Sequence, residues 1–248
     1  TGAAQGLGKA FAEALAAKGF KLVMVDRQAD SLAAVCEQLS VDFATECLPA
    51  VLDLSNRAFI SELAEKTASL EIGLVVNNAA IGNDGAFLQH ELDDLFRATD
   101  VNCIATLAIA HTYGKRMVAQ GRGGMILVAS GTALQGTPRF VDYAATKSFS
   151  LVLAEGLWCE LQAQGVDVMG FIPGPTNTPG LRSSVPGLKE GVAHGPIELP
   201  ETCANGALEA LGSGANAARE EKHDKPLASR RAVLAQLIEQ IEKSQHFV

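Results

Sequence analysis

Tyr143 and Lys147 are four residues apart in the segment Tyr-Ala-Ala-Thr-Lys. In a helix this spacing puts a phenol and an ammonium group on the same face, one turn apart. A free phenol has a pKa of ~10, which is too high for an efficient base at neutral pH, but a nearby cation lowers it. The pair therefore indicates proton transfer with a substrate hydroxyl. The same spacing also occurs on exposed helices that have no chemical role.

Ser130 lies thirteen residues before Tyr143 and follows an apolar run at residues 125–128. We predict that this run is a strand and that the segment containing Tyr143 is a helix. A strand followed by a helix can deliver both hydroxyl groups to one site. Ser130 thus makes a reactive site more credible than the spacing of Tyr143 and Lys147 does alone.

Three glycines, Gly2, Gly6 and Gly8, lie where a turn leads into a helical pattern. Glycine permits positive φ and lets a pyrophosphate approach the helix N-terminus closely. A tight helix-entry turn needs the same residues, so the glycines alone do not decide. However, Asp26 ends the predicted strand at residues 21–25 and lies 24 residues after the first glycine. This spacing is typical of an acid that binds the ribose of a dinucleotide.

Asp26 can accept hydrogen bonds from both ribose hydroxyls of an adenosine. Its charge would repel a 2′-phosphate by about 4 kcal/mol at about 4 Å and an effective dielectric constant of about 20. We therefore expect NAD rather than NADP. Arg27 leaves NADP open, because its guanidinium can bind a 2′-phosphate or stack on the adenine. A carboxylate that only caps the following turn is the alternative role for Asp26.

Short apolar runs alternate with helix-period segments as far as about residue 175, which is typical of a parallel sheet covered on both faces. We predict an α/β fold with a doubly wound parallel sheet, a Rossmann fold, in a single domain over residues 1–248. The predicted strands are residues 21–25, 47–52, 73–76, 125–128 and 166–172. The predicted helices are residues 6–18, 31–39, 93–118, 143–164 and 229–246.

Two regions depart from this alternation. Prolines crowd residues 174–200, so this segment cannot be one continuous helix or strand, and we interpret it as a substrate lid. At the other end, the chain starts at Thr1 directly on the glycine turn. In a doubly wound sheet a central strand presents such a turn, so we expect a first strand upstream of Thr1.

Composition argues against several classes of partner. The net charge is −8 and no run of basic residues is present, which argues against nucleic acid. The five cysteines and five histidines are dispersed, without the spacings of disulfide frameworks or metal sites. No apolar run reaches the ~18 residues of a membrane span. We expect a cytoplasmic protein that acts on a small molecule without a metal, a nucleic acid or a membrane.

Taken together, these motifs resemble those of the short-chain dehydrogenase/reductase family over nearly the whole chain. The resemblance rests on residues 1–8 as a T-G-x-x-x-G-x-G motif, Asp53, Asn77-Asn78-Ala79-Ala80, Asn102, Ser130, Tyr143 with Lys147, and Pro173-Gly174. Two positions depart from the family pattern. Ala80 replaces the glycine of N-N-A-G, and Ala129 replaces the first of two serines, but neither change removes a reacting group.

The resemblance implies a set of catalytic roles. Tyr143 would be the general acid or base, and Ser130 would hold the substrate oxygen. Lys147 would bind the nicotinamide ribose and, together with the positive nicotinamide ring, lower the pKa of Tyr143. Asn102 would position a water molecule that links Lys147 to solvent. The residues expected to bind the cofactor are Gly2, Gln5, Gly6, Leu7, Gly8, Asp26, Arg27, Asp53, Leu54, Asn78, Ala79, Tyr143, Lys147, Pro173, Gly174, Thr176 and Thr178.

We expect the substrate pocket to be formed by residues 81–88, residues 131–141 and the lid. Its side chains would be mostly apolar and carry few charges: Phe87, Leu88, Leu134, Phe140, Leu181, Val185 and Leu188. An apolar secondary alcohol or ketone fits such a pocket, whether it is steroid-like, terpenoid, aromatic or acyl.

Two alternatives to the NAD-dependent enzyme stay open. One is an NADPH-dependent ketoreductase, which Arg27 favours. The other is a non-catalytic dinucleotide-sensing or interaction protein, against which the complete set of Asn102, Ser130, Tyr143 and Lys147 argues. The resemblance also implies a homodimer or homotetramer.

Overall fold

The strands pair in parallel throughout, as the alternating pattern predicts. The computed structural model describes residues 1–184, 187–193 and 195–244. Its strands are β1 (Leu22–Asp26), β2 (Cys47–Val51), β3 (Leu74–Asn77), β4 (Gly123–Val128), β5 (Val166–Ile172) and β6 (Asn216–Ala218). The first five match the predicted strands to within two residues. The sequence does not predict β6, because three residues are too few to show a pattern.

The strands form two sheets, one of β1 and β2 and one in the order β3-β4-β5-β6. In the described part of the chain, no strand pairs with both β1 and β3. The first residues connect these two edges instead. The Thr1 nitrogen donates to the Val76 carbonyl (2.9 Å), and the Ala3 amide donates to the Val25 carbonyl (3.3 Å).

Helices precede, connect and follow the strands. They are α1 (Gly6–Ala17), α2 (Ala29–Phe43), α3 (Phe59–Lys66), α4 (Leu92–Thr99), α5 (Ala105–Gln120), α6 (Val141–Leu161), α7 (Pro179–Ser184), α8 (Pro200–Ala210) and α9 (Asp224–Ser244). Among these, the sequence does not predict α3, α7 or α8. Each is short, so few apolar positions can show its period.

The predicted helix at residues 93–118 is not continuous. It is interrupted between α4 and α5 by a π-helical turn, Asp100–Ile104. A π-helical turn adds one residue to the helix without ending its apolar periodicity, so the sequence pattern does not reveal it. Such turns are frequent at functional sites. This one contains Asn102, which was predicted as a site residue.

Both faces of the larger sheet are buried, as a doubly wound fold requires. Met125 and Leu127 of β4 pack in a cluster with Met117 of α5, whereas Ile126 of the same strand packs in another cluster with Phe11 of α1. Successive side chains of a strand point to opposite faces. Because β4 is apolar on both faces, it lies centrally and places Ser130, just beyond its end, in the middle of the sheet edge.

The proline-rich segment at residues 174–200 folds back on itself around α7. The Asn177 amide donates to the Glu198 carbonyl (2.9 Å), and the Glu198 amide donates to the Pro175 carbonyl (3.0 Å). The two ends of the segment are therefore fastened together where it leaves the sheet. Movement of this segment as a lid stays a prediction.

The last helix, α9, begins at Asp224, five residues before its predicted start, and its predicted end, His246, lies outside the described residues. The buried carboxylate of Glu155 on α6 anchors it. Glu155 accepts hydrogen bonds from Arg230 of α9 (2.7 and 2.5 Å) and from the side chain of Asn216 on β6 (2.7 Å). Across the described residues, no helix has the length and apolar character to span a membrane.

Candidate active site

The carboxyl ends of β1, β3, β4 and β5 open into one cleft of about 930 Å³. Open parallel α/β sheets bind their ligands at this edge. Nearly all predicted site residues line the cleft: Gly2, Gln5, Gly6, Leu7, Asp26, Arg27, Asp53, Leu54, Asn78, Ala79, Ser130, Tyr143, Lys147, Pro173, Gly174, Thr176 and Thr178. Gly8 and Asn102 do not line it.

The glycine turn needs glycine for two separate reasons. Gly2 and Gly6 have φ of +64° and +57°, a conformation that side chains disfavour. Gly8 has no room for a side chain, since a Cβ there would lie 2.1 Å from the Gly2 carbonyl oxygen. Gly8 therefore lets the turn pack on α1 but does not itself face the cleft. Its predicted part in cofactor binding stays a prediction.

Asp26 at the end of β1 is almost fully buried, with 9% of its surface exposed. Its carboxylate accepts one hydrogen bond from the amide of Ala4 (3.0 Å) and another from the amide of Gln28 (3.0 Å). The first bond holds the glycine turn against β1, and the second caps the turn that follows the strand. A carboxylate offers about four acceptor positions, so Asp26 can still accept hydrogen bonds from a ligand.

Asp53 also lines the cleft, just beyond β2, the strand that pairs with β1. Its pKa is lowered by hydrogen bonds from the amide and hydroxyl of Ser55 and, to a smaller extent, by Arg97 and Arg27. Arg97 on α4 lies 3.8 Å from the Asp53 carboxylate. Both arginines line the cleft. This part of the cleft therefore carries positive as well as negative side chains.

Lys147 is buried at the base of the cleft, one helical turn beyond Tyr143 on α6. Its Nζ donates to the carbonyl oxygen of Val128 at the end of β4 (2.7 Å). Burial lowers its pKa to about 8. Lys147 is therefore a cation at neutral pH, and its position is fixed by the strand that also carries Ser130.

Tyr143 faces Ser130 across the cleft. The predicted lowering of its pKa needs the bound nicotinamide ring as well as Lys147 and stays a prediction. In this structure burial raises the pKa of Tyr143, and a hydrogen bond with Ser130 opposes that rise. The Nζ of Lys147 lies 5.8 Å from the centre of the Tyr143 ring. Because Nζ is directed to the Val128 carbonyl, Lys147 alone does not overcome the cost of burying a phenolate.

Asn102 does not line the cleft but hydrogen-bonds the loop and the helix beside it. Its side-chain oxygen accepts from the Ile81 amide (2.8 Å), and its side-chain nitrogen donates to the Ile81 carbonyl (2.8 Å) and to the Thr146 hydroxyl (2.9 Å). Asn102 thus joins the loop after β3 to α6 next to Lys147. The water-positioning role expected for Asn102 stays a prediction.

The segment after β5 closes the cleft over the glycine turn. Thr178 lies against Gly6, where a Cβ would be 3.3 Å from the threonine side chain. The Thr178 hydroxyl accepts from the Leu181 amide (3.3 Å), and the Thr176 hydroxyl donates to the Gly174 carbonyl (2.8 Å). Both hydroxyls already stabilise the loop itself, and both residues line the cleft.

Comparison with known proteins identifies this arrangement. The family model described as short chain dehydrogenase matches residues 1–188. The chain belongs to the short-chain dehydrogenase/reductase family. The predicted family, the Rossmann-like fold and the enzymatic activity on hydroxyl or carbonyl groups are thereby confirmed.

Individual relatives of this short-chain dehydrogenase/reductase include hydroxysteroid enzymes. A 7β-hydroxysteroid dehydrogenase of Collinsella aerofaciens is 32% identical over 212 residues, which cover 85% of this chain and 81% of the relative. A short-chain dehydrogenase/reductase of Armillaria gallica is 33% identical over 84% of this chain and 81% of its own length. A solved structure of a 7β-hydroxysteroid dehydrogenase is similar with a TM-score of 0.82 at 28% identity, covering 97% of this chain and 94% of that chain.

Only some of the residues expected to form the substrate pocket of this short-chain dehydrogenase/reductase line the cleft. Phe140 and Leu181 line the cleft. Val185 lies outside the described residues. The remaining apolar side chains expected there do not line the cleft: Phe87, Leu88, Leu134 and Leu188. Leu88 is 92% exposed, because the loop after β3 turns outward there.

The cleft also holds charged residues that the sequence does not predict for it, beyond β6. Glu220, Lys222 and His223 follow β6 and line the cleft. Asp84, in the loop after β3, lines it as well. The segment at residues 220–223 reaches the site because β6 pairs with β5, which brings the chain back to the carboxyl edge of the sheet. No sequence motif marks this segment, and β6, which positions it, is too short to be predicted.

Proposed function

We propose that this enzyme interconverts a secondary alcohol and a ketone with NAD as its cofactor. The observation that carries the proposal is the convergence of Tyr143, Ser130 and Lys147 on the cleft that also holds the glycine turn and Asp26. Hydroxysteroid dehydrogenases among the relatives support oxidoreduction at a carbinol carbon.

The roles follow from the contacts of the reacting groups. Tyr143 donates its proton to the substrate oxygen during reduction and accepts the proton during oxidation. The Ser130 oxygen accepts a hydrogen bond from the Thr132 hydroxyl (3.0 Å). The Ser130 hydroxyl, which hydrogen-bonds Tyr143 in this structure, would donate to the substrate oxygen when the substrate binds between them. Lys147 places a cation beneath the tyrosine, which favours its anionic form.

The cleft suits a nicotinamide dinucleotide, which supplies or accepts the hydride when bound. Gly2 and Gly6 keep the turn before α1 open for a pyrophosphate at the helix N-terminus. The unused acceptor positions of Asp26 suit ribose hydroxyls, and its negative charge repels a 2′-phosphate. These features favour NAD.

NADP is the second candidate, because Arg27 and Arg97 both line the cleft and can neutralise a phosphate. The ratio of kcat/KM for NADH to that for NADPH decides between them. We expect the ratio to exceed one and to fall by about tenfold or more in Asp26→Ser, as a lost repulsion of this kind predicts. A wild-type preference for NADPH would overturn the assignment of NAD.

For the substrate we propose a rigid apolar alcohol or ketone of steroid size. Ile81, Phe140 and Leu181 give the cleft apolar walls, and a 7β-hydroxysteroid dehydrogenase is among the relatives. A panel of hydroxysteroids, terpenoid alcohols, aromatic alcohols and short aliphatic alcohols tests this, with reduced cofactor followed by absorbance. Turnover confined to the short aliphatic alcohols would contradict the proposal.

We also propose a homodimer or homotetramer. Leu92 and Phe96 on α4 and Val152 on α6 are all more than half exposed, and covering them would bury apolar surface. Light scattering at several protein concentrations measures the assembly, and a monomer at all of them would contradict it. Location in the cytoplasm stays a prediction.

A further inference from the structure

His223 is a buried histidine that lines the cleft, with 8% of its surface exposed. It ends the short turn Glu221–His223 between β6 and α9. Its ring lies against the backbone of Gly131, where a Cβ would be 2.9 Å from the histidine Cε1 and 3.1 Å from Nε2. Gly131 directly follows Ser130. The imidazole is therefore next to the residue that holds the reacting oxygen.

The two nitrogens of His223 have different surroundings. Nδ1 is buried and has no hydrogen-bond partner among the described residues. The carboxylate of Glu220 lies 3.9 Å from Nδ1. Nε2 lies on the side of Gly131, which itself lines the cleft. A proton on Nδ1 would face Glu220, which would leave Nε2 as a hydrogen-bond acceptor towards a ligand.

We propose that His223 binds a second hydroxyl group of the substrate, remote from the reacting carbinol carbon, through Nε2. This specificity site rests on the proposed function, since it uses the same cleft. Nε2 accepts no hydrogen bond from the described residues, and His223 lines the cleft, so a substrate hydroxyl can donate a hydrogen bond to it. The substrate is then a rigid apolar alcohol or ketone with one additional hydroxyl.

The charges around His223 favour a neutral hydroxyl over an anionic group. Its own segment carries the carboxylates of Glu220, Glu221 and Asp224 against the single cation of Lys222, and Lys222 is already paired with Glu220 (2.8 Å). Gly131, which packs against the His223 ring, has no charged side chain. Burial also lowers the pKa of His223, so the ring is neutral at neutral pH and can accept a hydrogen bond.

The test compares two steroids that share the reacting group, one with a second, remote hydroxyl and one without it. We expect wild-type kcat/KM to favour the dihydroxylated steroid by about tenfold, which corresponds to one neutral hydrogen bond. His223→Phe should reduce this ratio to about one, mainly by raising KM for the dihydroxylated steroid. His223→Gln retains an acceptor and should keep part of the preference. His111→Phe, an exposed histidine on α5, is the matched control and should leave the ratio unchanged.

An equal ratio in wild type and His223→Phe, with both steroids still turned over, would overturn the role of His223 but leave the proposed function standing. Failure of wild type to turn over either steroid would instead overturn the steroid assignment, and the inference with it. A lowered kcat for both steroids in His223→Phe, at an unchanged ratio, would show a role in folding or positioning and would also contradict the proposal.

Discussion

Lys147→Met removes a buried cation from beneath Tyr143 while keeping a side chain of similar length. Lys147 Nζ lies 5.8 Å from the centre of the tyrosine ring. If the phenolate charge is placed at the ring centre, an effective dielectric constant of about 20 gives a stabilisation of about 3 kcal/mol. That free energy corresponds to about two pKa units, or about 100-fold in the tyrosinate population.

The sign of the pH dependence follows from the pKa of Lys147, which burial lowers to about 8. Below that pH Lys147 is charged and favours the tyrosinate, and above it the charge and the benefit are lost. The variant should therefore be slower than wild type in alcohol oxidation by about 100-fold at pH 7, and the deficit should narrow above pH 8.

The assay is kcat/KM for alcohol oxidation between pH 6 and pH 10. Lys21→Met is the control, because Lys21 is an exposed residue paired with Glu46 at the surface, and it should follow the wild-type profile. The Lys147 variant also loses the hydrogen bond to the Val128 carbonyl, which lowers stability but cannot produce a pH-dependent deficit of this shape. A deficit of equal size at every pH would refute the electrostatic role.

Two further predictions concern the framework of the site. Gly8→Ala should lower the free energy of unfolding by about 1–3 kcal/mol through overpacking against Gly2 and weaken dinucleotide binding, as measured by thermal unfolding and fluorescence titration. Gly156→Ala is the control, because Gly156 is on the exposed side of α6 with nothing near its Cβ, and it should stabilise the protein by about 1 kcal/mol. Equal losses of stability in Gly8→Ala and Gly156→Ala would contradict the packing explanation. Glu155→Ala should cost about 2 kcal/mol of stability by unpairing Arg230, and an unchanged unfolding midpoint would show that this anchor is unimportant.

The sequence predicts best those parts of the fold that are buried on both faces. The strand Val166–Ile172 is predicted at both ends because nearly every residue in it is buried and apolar. The cleft residues at the carboxyl ends of the strands follow from the same reasoning, since parallel strands bring their ends to one edge. Their location was predictable even though their individual contacts were not.

Other features depend on tertiary contacts that no local pattern encodes. The role of Asn102 behind the wall depends on the π-helical turn and on the position of Ile81, which is distant in sequence. His223 enters the site only because β6 pairs with β5. The raised pKa of Tyr143 depends on how deeply the phenol is buried, which spacing from Lys147 cannot show.

The most direct test of the account is the turnover of Tyr143→Phe on an alcohol that the wild type oxidises. The substitution removes only the phenolic oxygen that carries the proton. Because a positioned acid or base contributes about 100- to 10,000-fold, kcat should fall by a factor in this range, while binding of the dinucleotide alone, followed by fluorescence, should weaken far less. Wild-type turnover in this variant would contradict the assignment of Tyr143 as the proton-transfer group.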